Sequence, residues 1–299
     1  MHGAIQNLIM FSREERWQAY VSGFGNLDRW IFTFTLSNLY RIRDDFARFY
    51  IHGSGYEIGA QHAPLHCDAR KARVTYIDYL DKTESARKYN LPEESCVDVD
   101  ILCDANQLGC IKNESADFVI ANHVLEHSPN PLGALLEWLR IIKKGGILFF
   151  SLPNYLCNEF DFEKKPVGLD HLINDFRNDG KKDISEVHVE EHVTIVDGIP
   201  RKDKERFIAR KKEILQSNLH THYHVFDEQL IRDMLLFVHA RQPLKILNRL
   251  CFSHGFELIY VVEKIDDAAD KTLSFRPQYS VNLQVILSNL LRYSLRRYR

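Results

Sequence analysis

The segment Asp117–Asn154 constrains the fold most strongly, because it has the pattern of two buried strands joined by a helix. Phe118–Ala121 is a short apolar run, which is typical of a strand buried on both faces. Ile147–Leu152 is a second such run, closed by Pro153. Two strands with a helix between them predict a right-handed parallel unit. Its first loop, Asn122–Asn130, then lies at the carboxyl edge of the sheet, where such folds bind ligands.

The connecting helix has recognisable start and stop signals. Asn130 supplies an N-cap and Pro131 a first-turn proline. Lys143 and Lys144 fall where the helix dipole favours cations, and Gly145-Gly146 predicts the end of the helix. Apolar residues at helical spacing form one stripe between these signals: Leu132, Leu135, Leu136, Leu139 and Ile142.

The composition indicates a protein with a full core and reduced thiols. The chain has 299 residues, of which 45% are hydrophobic and 27% charged, enough for an α/β core with additional elements. A net charge of -2 and a pI near 6.7 argue against nucleic-acid binding. Six cysteines without a C-x-x-C pair predict buried thiols in a cytoplasmic protein. No apolar run approaches the roughly 20 residues that a membrane span needs.

The remaining strand patterns extend the central unit into an α/β fold with a Rossmann-like, doubly wound, mostly parallel sheet. Four further strands are predicted: Tyr56–Gly59, Val74–Asp78, Val97–Cys103 and Phe256–Ile265. We predict a helical N-terminal cap over residues 1–52 and a domain over residues 53–265 that contains the sheet and the active site. Within it, the charged and histidine-rich stretch at about 155–225 is predicted to be a lid insertion. Residues 266–299 are predicted to form a C-terminal helical tail.

The tail Val281–Arg299 is a basic amphipathic helix by pattern, with an apolar face of Leu283, Ile286, Leu287, Leu290 and Leu291. Such a helix can lie on an anionic membrane surface. We favour packing on the core instead, because four polar residues resemble an ordinary solvent-facing side: Asn282, Gln284, Ser288 and Asn289.

The loops after the first two strands carry a pattern that suits an adenosine cofactor. Asp78 ends a strand roughly 20 residues after the first loop, the position at which a carboxylate binds ribose hydroxyls. The phosphate-binding pattern G-x-G-x-x-G is absent, since only Gly59 remains and Gln61 follows it. S-adenosylmethionine has no phosphate, so the spacing favours this cofactor over a dinucleotide. The alternative is an acid that caps a turn in a fold without a cofactor.

Asp104 follows the third predicted strand, where a carboxylate can accept from the exocyclic amine of adenine. Helix N-capping is an equally good interpretation of this residue taken alone. Together with Glu57 and Asp78, it strengthens the adenosine interpretation.

Three stretches, YEIGAQHAPL, VTYIDYLD and SADFVIANHVLEHSPNPLGALLEWLRIIKKGGILFFSLPN, resemble the class I S-adenosylmethionine-dependent methyltransferases. More narrowly, the chain resembles methyltransferase-domain proteins of bacterial surface-polysaccharide (O-antigen or capsule) biosynthesis. This resemblance implies O-methylation of a sugar or glycan-precursor hydroxyl. It places the cofactor against the following residues: Glu57 and Gly59 at the methionine part, with Gln61 beside them, Asp78 at the ribose, Asp104 at the adenine, and Asn122 and His123 on the methyl-transfer side.

Histidines are the predicted catalytic residues, because methylating a hydroxyl requires removal of its proton near neutral pH. His127 lies in the loop after the central strand, and His171 and His188 lie in the predicted lid. All three are candidates for the general base.

The segment His123-Val124-Leu125-Glu126-His127 also matches H-x-x-E-H, an inverted zinc-protease pattern. On a helix its three ligand-type side chains would share a face. Pro129 follows immediately, which leaves too short a helix for a protease site, and whether a metal binds here stays open. Two alternatives to a methyltransferase therefore remain: a metal-dependent hydrolase that uses this segment, and a non-catalytic scaffold with a degenerate cofactor loop.

Overall fold

A seven-stranded sheet runs through the protein in the order β3-β2-β1-β4-β5-β7-β6. The computed structural model describes residues 12–179, 183–217, 222–266 and 273–297. The strands are β1 (Gly53–Ile58), β2 (Ala72–Asp78), β3 (Ile101–Leu102), β4 (Ala116–Asn122), β5 (Ile142–Pro153), β6 (Leu244–Cys251) and β7 (Glu257–Lys264). Neighbouring strands are parallel except at β7, which is antiparallel to both β5 and β6. The predicted Rossmann-like, mostly parallel sheet is confirmed.

Ten α-helices of four residues or more surround the sheet within the described ranges. They are α1 (Arg13–Ser22), α2 (Asn26–Ser37), α3 (Leu39–Tyr50), α4 (Lys82–Tyr89), α5 (Pro131–Ile141), α6 (Leu169–Arg177), α7 (Asp183–Glu191), α8 (Lys204–Ser217), α9 (Glu228–His239) and α10 (Tyr279–Arg297). A short 3₁₀ turn, Leu125–His127, follows β4, and a π-helical turn, His192–Val196, follows α7. None of these helices is long and apolar enough to cross a membrane.

Alternating side chains of β4 and β5 build two separate cores, one on each face of the sheet. Val119 and Phe150 point to the face covered by α5 and α9, where they join Trp138 and Met234. Phe118 and Phe149 point to the other face. There they pack against residues of α2, α3 and α10: Phe34, Ile42, Phe46 and Val285. The predicted N-terminal cap and C-terminal tail thus form the second helical layer of the sheet.

The junction of α5 and β5 differs from the prediction. The helix ends at Ile141, and Ile142 already has extended backbone angles, so Ile142 belongs to the strand rather than to the helical stripe. The pairing with β4 then jumps from Ala116 opposite Ile142 to Phe118 opposite Ile147. Gly145, with φ of +74°, lies in this irregular stretch. The glycine pair therefore allows a bulge within the strand instead of ending the helix.

The strands differ from the prediction at two further places. The third strand is only Ile101–Leu102, not Val97–Cys103, because it lies at the edge of the sheet and pairs with β2 alone. Strand β6 was not predicted, although its burial alternates residue by residue along its length. Its polar positions, such as Asn248 and Arg249, hide the apolar pattern in the sequence.

The helix α10 packs on the core through only part of the predicted apolar face, namely Ile286 and Leu290. Val285 and Asn289 are buried, and Asn289 donates to Oδ2 of Asp45 at 3.0 Å. Asn282 is buried as well and accepts from Asn248 at 2.8 Å. By contrast, three leucines of the predicted apolar face are 48–66% exposed: Leu283, Leu287 and Leu291. The expectation that these asparagines face solvent was wrong, because each forms a hydrogen bond with a buried polar side chain of α3 or β6.

Parts of the predicted cap, lid and tail lie outside the described residues. These are residues 1–11, 180–182, 218–221, 267–272 and 298–299, which include Arg299 of the basic tail.

Candidate active site

A cavity of about 880 Å³ opens at the carboxyl edge of the parallel strands, a volume within the range of small-molecule sites. Its walls come from the loops after β1, β2, β3 and β4, together with α3 and the start of β7. All seven residues predicted to bind a cofactor are among its lining residues: Glu57, Gly59, Gln61, Asp78, Asp104, Asn122 and His123. The predicted catalytic residue His127 lines the cavity too.

Glu57 and Gly59 shape the floor beneath the first loop. The Glu57 side chain is buried, and its Oε1 accepts from the Leu65 backbone N–H at 2.9 Å. Its Oε2 has no hydrogen-bond partner among the described residues. Burial raises the pKa of Glu57 to about 8, although the Leu65 N–H and the charge of Arg43 oppose the shift. This carboxyl group is therefore ready to receive a cation or a further donor.

Gly59 brings the first loop close to the loop after β4. It has φ of +67°, and a Cβ at this position would come within 2.9 Å of the Val124 side chain. Only glycine accepts both conditions without strain. Gln61 also has a positive φ, of +47°. The first loop thus lies close to the loop after β4 and leaves the cavity open.

Asp78 ends β2 with one carboxylate oxygen unused. Its Oδ1 accepts from the Leu80 backbone N–H at 3.2 Å, whereas its buried Oδ2 has no partner within the described chain. Burial raises the pKa of Asp78, and the N–H groups of Leu80 and Tyr79 partly offset this. A buried oxygen without a partner costs about 1–3 kcal/mol. A ligand that supplies hydroxyl donors would remove that cost.

Asp104 caps a turn and not the start of a helix, so the alternative of helix N-capping is not confirmed. Its Oδ1 accepts from both the backbone N–H and the side-chain amide of Asn106, at 2.7 and 2.8 Å. It nevertheless lines the cavity, so the turn holds the carboxylate at the cavity wall.

A group of charged and polar side chains lies around the turn after β4, and three of its members, Arg43, Asn122 and His123, line the cavity. His123 Nε2 lies 2.6 Å from Glu257 Oε1, and the same carboxylate is bound by both Nε and a terminal nitrogen of Arg43. Ser151 donates to Asn122 Oδ1 at 2.9 Å and contacts Glu257 at 3.2 Å. His123, with φ of +55°, is held in the left-handed region at the sharp turn after β4. Five residues from four elements thus meet at one point.

Arg43 and His123 keep the Glu257 carboxylate ionised. Burial opposes ionisation, but the charges of Arg43 and His123 and their hydrogen bonds lower the pKa of Glu257 to about 2. It is therefore an anion at neutral pH. Sequence reasoning missed both Arg43 and Glu257. The one available signal was an arginine within the apolar stripe of α3, beside Ile42 and Phe46.

A second polar group lies behind His127. The ring centroids of His127 and His222 are 4.8 Å apart, and His222 Nδ1 lies 2.6 Å from Asp161 Oδ2. Burial opposes protonation of His222, but the charge and hydrogen bond of Asp161 raise its pKa overall. Glu126 is fully enclosed, and burial raises its pKa. The H-x-x-E-H segment contains a short 3₁₀ turn, Leu125–His127, and no α-helix. Glu126 and His127 group with His222, whereas His123 Nδ1 lies 4.0 Å from Glu126 Oε1.

His171 and His188 lie elsewhere. They are not among the residues that line the cavity, and they approach one another within a separate buried cluster that also contains Asp175 and His224. Burial and the neighbouring His224 and His171 lower the pKa of His188 to about 3. This placement does not support the general-base role predicted for these two residues.

Comparison with known proteins identifies the core of the fold. Residues 52–150 match the methyltransferase domain family, a segment that runs from the start of β1 through most of β5. The chain is therefore an S-adenosylmethionine-dependent methyltransferase, and S-adenosylmethionine is its cofactor. The scaffold and hydrolase alternatives are set aside. No curated protein matches the chain.

Solved structures resemble the chain only distantly. A Rhodobacter sphaeroides protein named for Zn-dependent alcohol dehydrogenases has 18% identity and a TM-score of 0.45, over 76% of this chain and 90% of that one. A Thermotoga maritima S-adenosylmethionine-dependent methyltransferase has 15% identity and a TM-score of 0.42, over 84% and 100%. The N-methyltransferase NodS from Bradyrhizobium japonicum has 13% identity and a TM-score of 0.38, over 77% and 95%.

The cavity has the chemistry that this cofactor requires. Four buried polar atoms on its lining residues have no hydrogen-bond partner in the described part of the chain: Glu57 Oε2, Asp78 Oδ2, Asn122 Nδ2 and His123 Nε2, the last of which forms an ion pair with Glu257. Two are acceptors and suit the ammonium and hydroxyl donors of S-adenosylmethionine. The residues present thus fit the cofactor.

Proposed function

We propose that this protein methylates a hydroxyl group of a small sugar or glycan precursor. The observation that carries the proposal is the pairing of His123 with the Glu257 carboxylate on the cavity wall next to Asn122. It places a histidine beside a buried anion in the loop after β4, which lines the same cavity as the predicted cofactor-binding loops after β1, β2 and β3. A transfer to oxygen needs such a group, because a hydroxyl must lose its proton as the new bond forms.

We assign the cofactor-binding roles from the carboxylate oxygens that have no hydrogen-bond partner among the described residues. We assign the ribose hydroxyls to Asp78 Oδ2 and the methionine ammonium to Glu57. Asp104 lies near enough to the same loops to take the adenine amine, while Gly59 and Gln61 shape the backbone beneath them. When bound, the cofactor supplies an activated methyl group on a sulfonium.

The proton of the acceptor hydroxyl passes to His123. Glu257 is ionised and can only accept, so its Oε1, 2.6 Å from Nε2, favours the tautomer with the hydrogen on Nε2 and the lone pair on Nδ1. When the acceptor oxygen takes the methyl group that the cofactor would supply, the bond from sulfur to the methyl carbon would break and S-adenosylhomocysteine would leave. The hydroxyl proton would move to Nδ1 of His123, and Glu257 would stabilise the resulting imidazolium. Base catalysis of this kind contributes about 10²–10⁴ in rate. His127, predicted from the sequence, lies on the same cavity and is the alternative base.

The rim of the cavity supports a sugar acceptor. Phe160 and Tyr40 line the cavity and are 41% and 50% exposed, so they lie at its opening. Tyr223 and Phe256 line it further in. Aromatic faces beside polar groups suit a sugar ring, which has both C–H and hydroxyl surfaces. The resemblance to polysaccharide-pathway methyltransferases points to the same acceptor class.

A reducing compartment suits the cysteines. All six are free thiols, including Cys103 and Cys110, whose sulfur atoms are only 3.0 Å apart. Such a pair persists as thiols where glutathione keeps them reduced. We therefore place the enzyme in the cytoplasm, with a small-molecule or glycan acceptor and no nucleic-acid partner.

The test is formation of S-adenosylhomocysteine from S-adenosylmethionine with a panel of free sugars and sugar nucleotides. We expect turnover with at least one sugar, and a loss of about 100-fold in His123→Asn while cofactor affinity is kept. His66→Asn is the matched control, because the His66 side chain is 76% exposed. Undiminished turnover in His123→Asn, with loss in His127→Asn, would overturn the assignment of the base. Turnover with amine acceptors only would overturn the hydroxyl acceptor.

A further inference from the structure

Four ligand-type side chains converge inside the lid, away from the active-site cavity. His171 and Asp175 lie on α6, His188 lies on α7, and His224 precedes α9. One ligand atom from each lies within 4.8 Å of all the others. Asp175, His188 and His224 are buried, and the His171 side chain is 35% exposed. We call this group the lid cluster.

The hydrogen bonds of His224 determine which of its nitrogens carries a lone pair. Its Nδ1 lies 3.1 Å from the backbone oxygen of Ser128, which can only accept, so Nδ1 carries the hydrogen. In the neutral ring Nε2 is then an acceptor. Yet Nε2 faces Asp175 Oδ2 at 2.9 Å, which places one acceptor against another. A cation between them resolves the conflict, and a backbone carbonyl that fixes the other ring nitrogen is the usual support of a metal-binding histidine.

The other members of the lid cluster also lack partners. His171 Nε2, His188 Nε2 and Asp175 Oδ1 are buried without a hydrogen bond to any described residue. Each such atom carries a desolvation cost of about 1–3 kcal/mol. His171 Nε2 lies 3.4 Å from Asp175 Oδ2. Ring nitrogens and carboxylate oxygens thus share one small volume, in which these three atoms make no hydrogen bond to a described residue.

We propose that His171, Asp175, His188 and His224 bind a divalent transition-metal ion, with zinc the favoured ion. Three imidazoles and one carboxylate are a preferred zinc donor set, and four such ligands complete a tetrahedral site. With ligand distances of about 2.0–2.2 Å, tetrahedral geometry separates neighbouring ligand atoms by about 3.4 Å. The spacings of 2.9 and 3.4 Å around Asp175 Oδ2 are close to this value. Small side-chain rotations bring the wider pairs into range.

The location of the site indicates a structural role. None of its four members lines the cavity, but His224 follows Tyr223 and bonds to Ser128, which both do. The Tyr223 backbone N–H also donates to the oxygen of Glu126 at 2.8 Å. A metal here would join two lid helices to the loop after β4 and so fix the wall of the active site. This role does not depend on which acceptor the enzyme methylates.

The experiment measures zinc in the full-length protein, purified without chelator, by elemental mass spectrometry. We expect about one equivalent per chain, and loss of nearly all of it in His188→Ala and Asp175→Asn. His222→Ala is the matched control: it removes a histidine of the Glu126–His127–His222 group, which also has ligand-type spacing. This variant should keep its zinc. Zinc loss in His222→Ala with retention in His188→Ala would overturn the proposed location.

A second measurement keeps the proposal testable if the variants fail to fold. The wild-type protein is stripped with chelator, and zinc alone is titrated in competition with a chromophoric chelator. We expect recovery of one tight site and an increase in thermal stability on zinc addition, since metal binding to the folded state stabilises it. Cobalt substitution should give the intense visible absorption of a four-coordinate site. A folded wild-type protein that takes up no zinc would overturn the proposal.

Discussion

Nε2 of His123 lies 2.6 Å from Oε1 of Glu257, which joins the turn after β4 to the first residue of β7. Arg43 reaches the same carboxylate from α3. The N-terminal helices, the central strand and the last strand therefore meet at one buried ion pair on the cavity wall. The residues matched to the methyltransferase domain family, 52–150, supply only His123 of these three. The elements outside that domain thus complete the site.

Replacing Asp78 should weaken cofactor binding without unfolding the protein. Its Oδ2 is the unused acceptor that we assign to the ribose, and a charge-assisted hydrogen bond contributes about 1.5–3 kcal/mol. Asp78→Asn should therefore lower S-adenosylmethionine affinity about 10- to 150-fold in calorimetry. Asp98→Asn is the control, because the Asp98 side chain is 90% exposed and pairs only with Lys82 in the described contacts. Equal affinity in the two variants would contradict the ribose assignment.

Cofactor binding should release a proton from Glu57. Burial raises the pKa of this group to about 8, so it is largely protonated at pH 7 without ligand. The ammonium of the cofactor favours the charged form and lowers that pKa. Affinity should then rise between about pH 6 and 8, by up to tenfold per unit.

Calorimetry at pH 7 in phosphate and in Tris measures this release, because the two buffers differ in ionisation heat. The buffer dependence should vanish in Glu57→Gln and persist in Glu94→Gln, which changes an exposed glutamate. The same proton release from Glu57→Gln would show that another group titrates.

Removing Glu257 should destabilise the protein in a pH-dependent way. Glu257→Gln leaves the buried Arg43 charge without its partner, which costs about 3–5 kcal/mol at pH 7. The folded-state pKa of Glu257 is depressed to about 2, against an unfolded value of about 4.3. The stabilisation is therefore complete above about pH 5 and is lost as the pH falls toward 2.

Urea unfolding of wild type and Glu257→Gln at several pH values tests this. The difference in free energy of unfolding should shrink on acidification. A double variant, Arg43→Met with Glu257→Leu, should be less destabilised than Glu257→Gln, because no charge stays unpaired. A constant difference from pH 7 to pH 3 would contradict the account.

The sequence predicted the part of the site that depends on local pattern. Asp78 and Asn122 end strands and Asp104 follows one. Parallel strands bring their carboxyl ends to one edge, so these side chains line one cavity. Arg43 and Glu257 are 214 residues apart, and no local pattern pairs them. The lid cluster likewise draws on three separate segments. In α10, Asn289 looked like a surface residue because its buried partner, Asp45, comes from a distant helix.

The most direct test of the central claim is calorimetry of the full-length protein with S-adenosylmethionine and with S-adenosylhomocysteine. The account predicts that both bind at one site per chain, that each competes with the other, and that Asp78→Asn weakens both. Folded protein at high concentration that gives no heat with either compound would contradict the assignment of this cavity as a methyltransferase site.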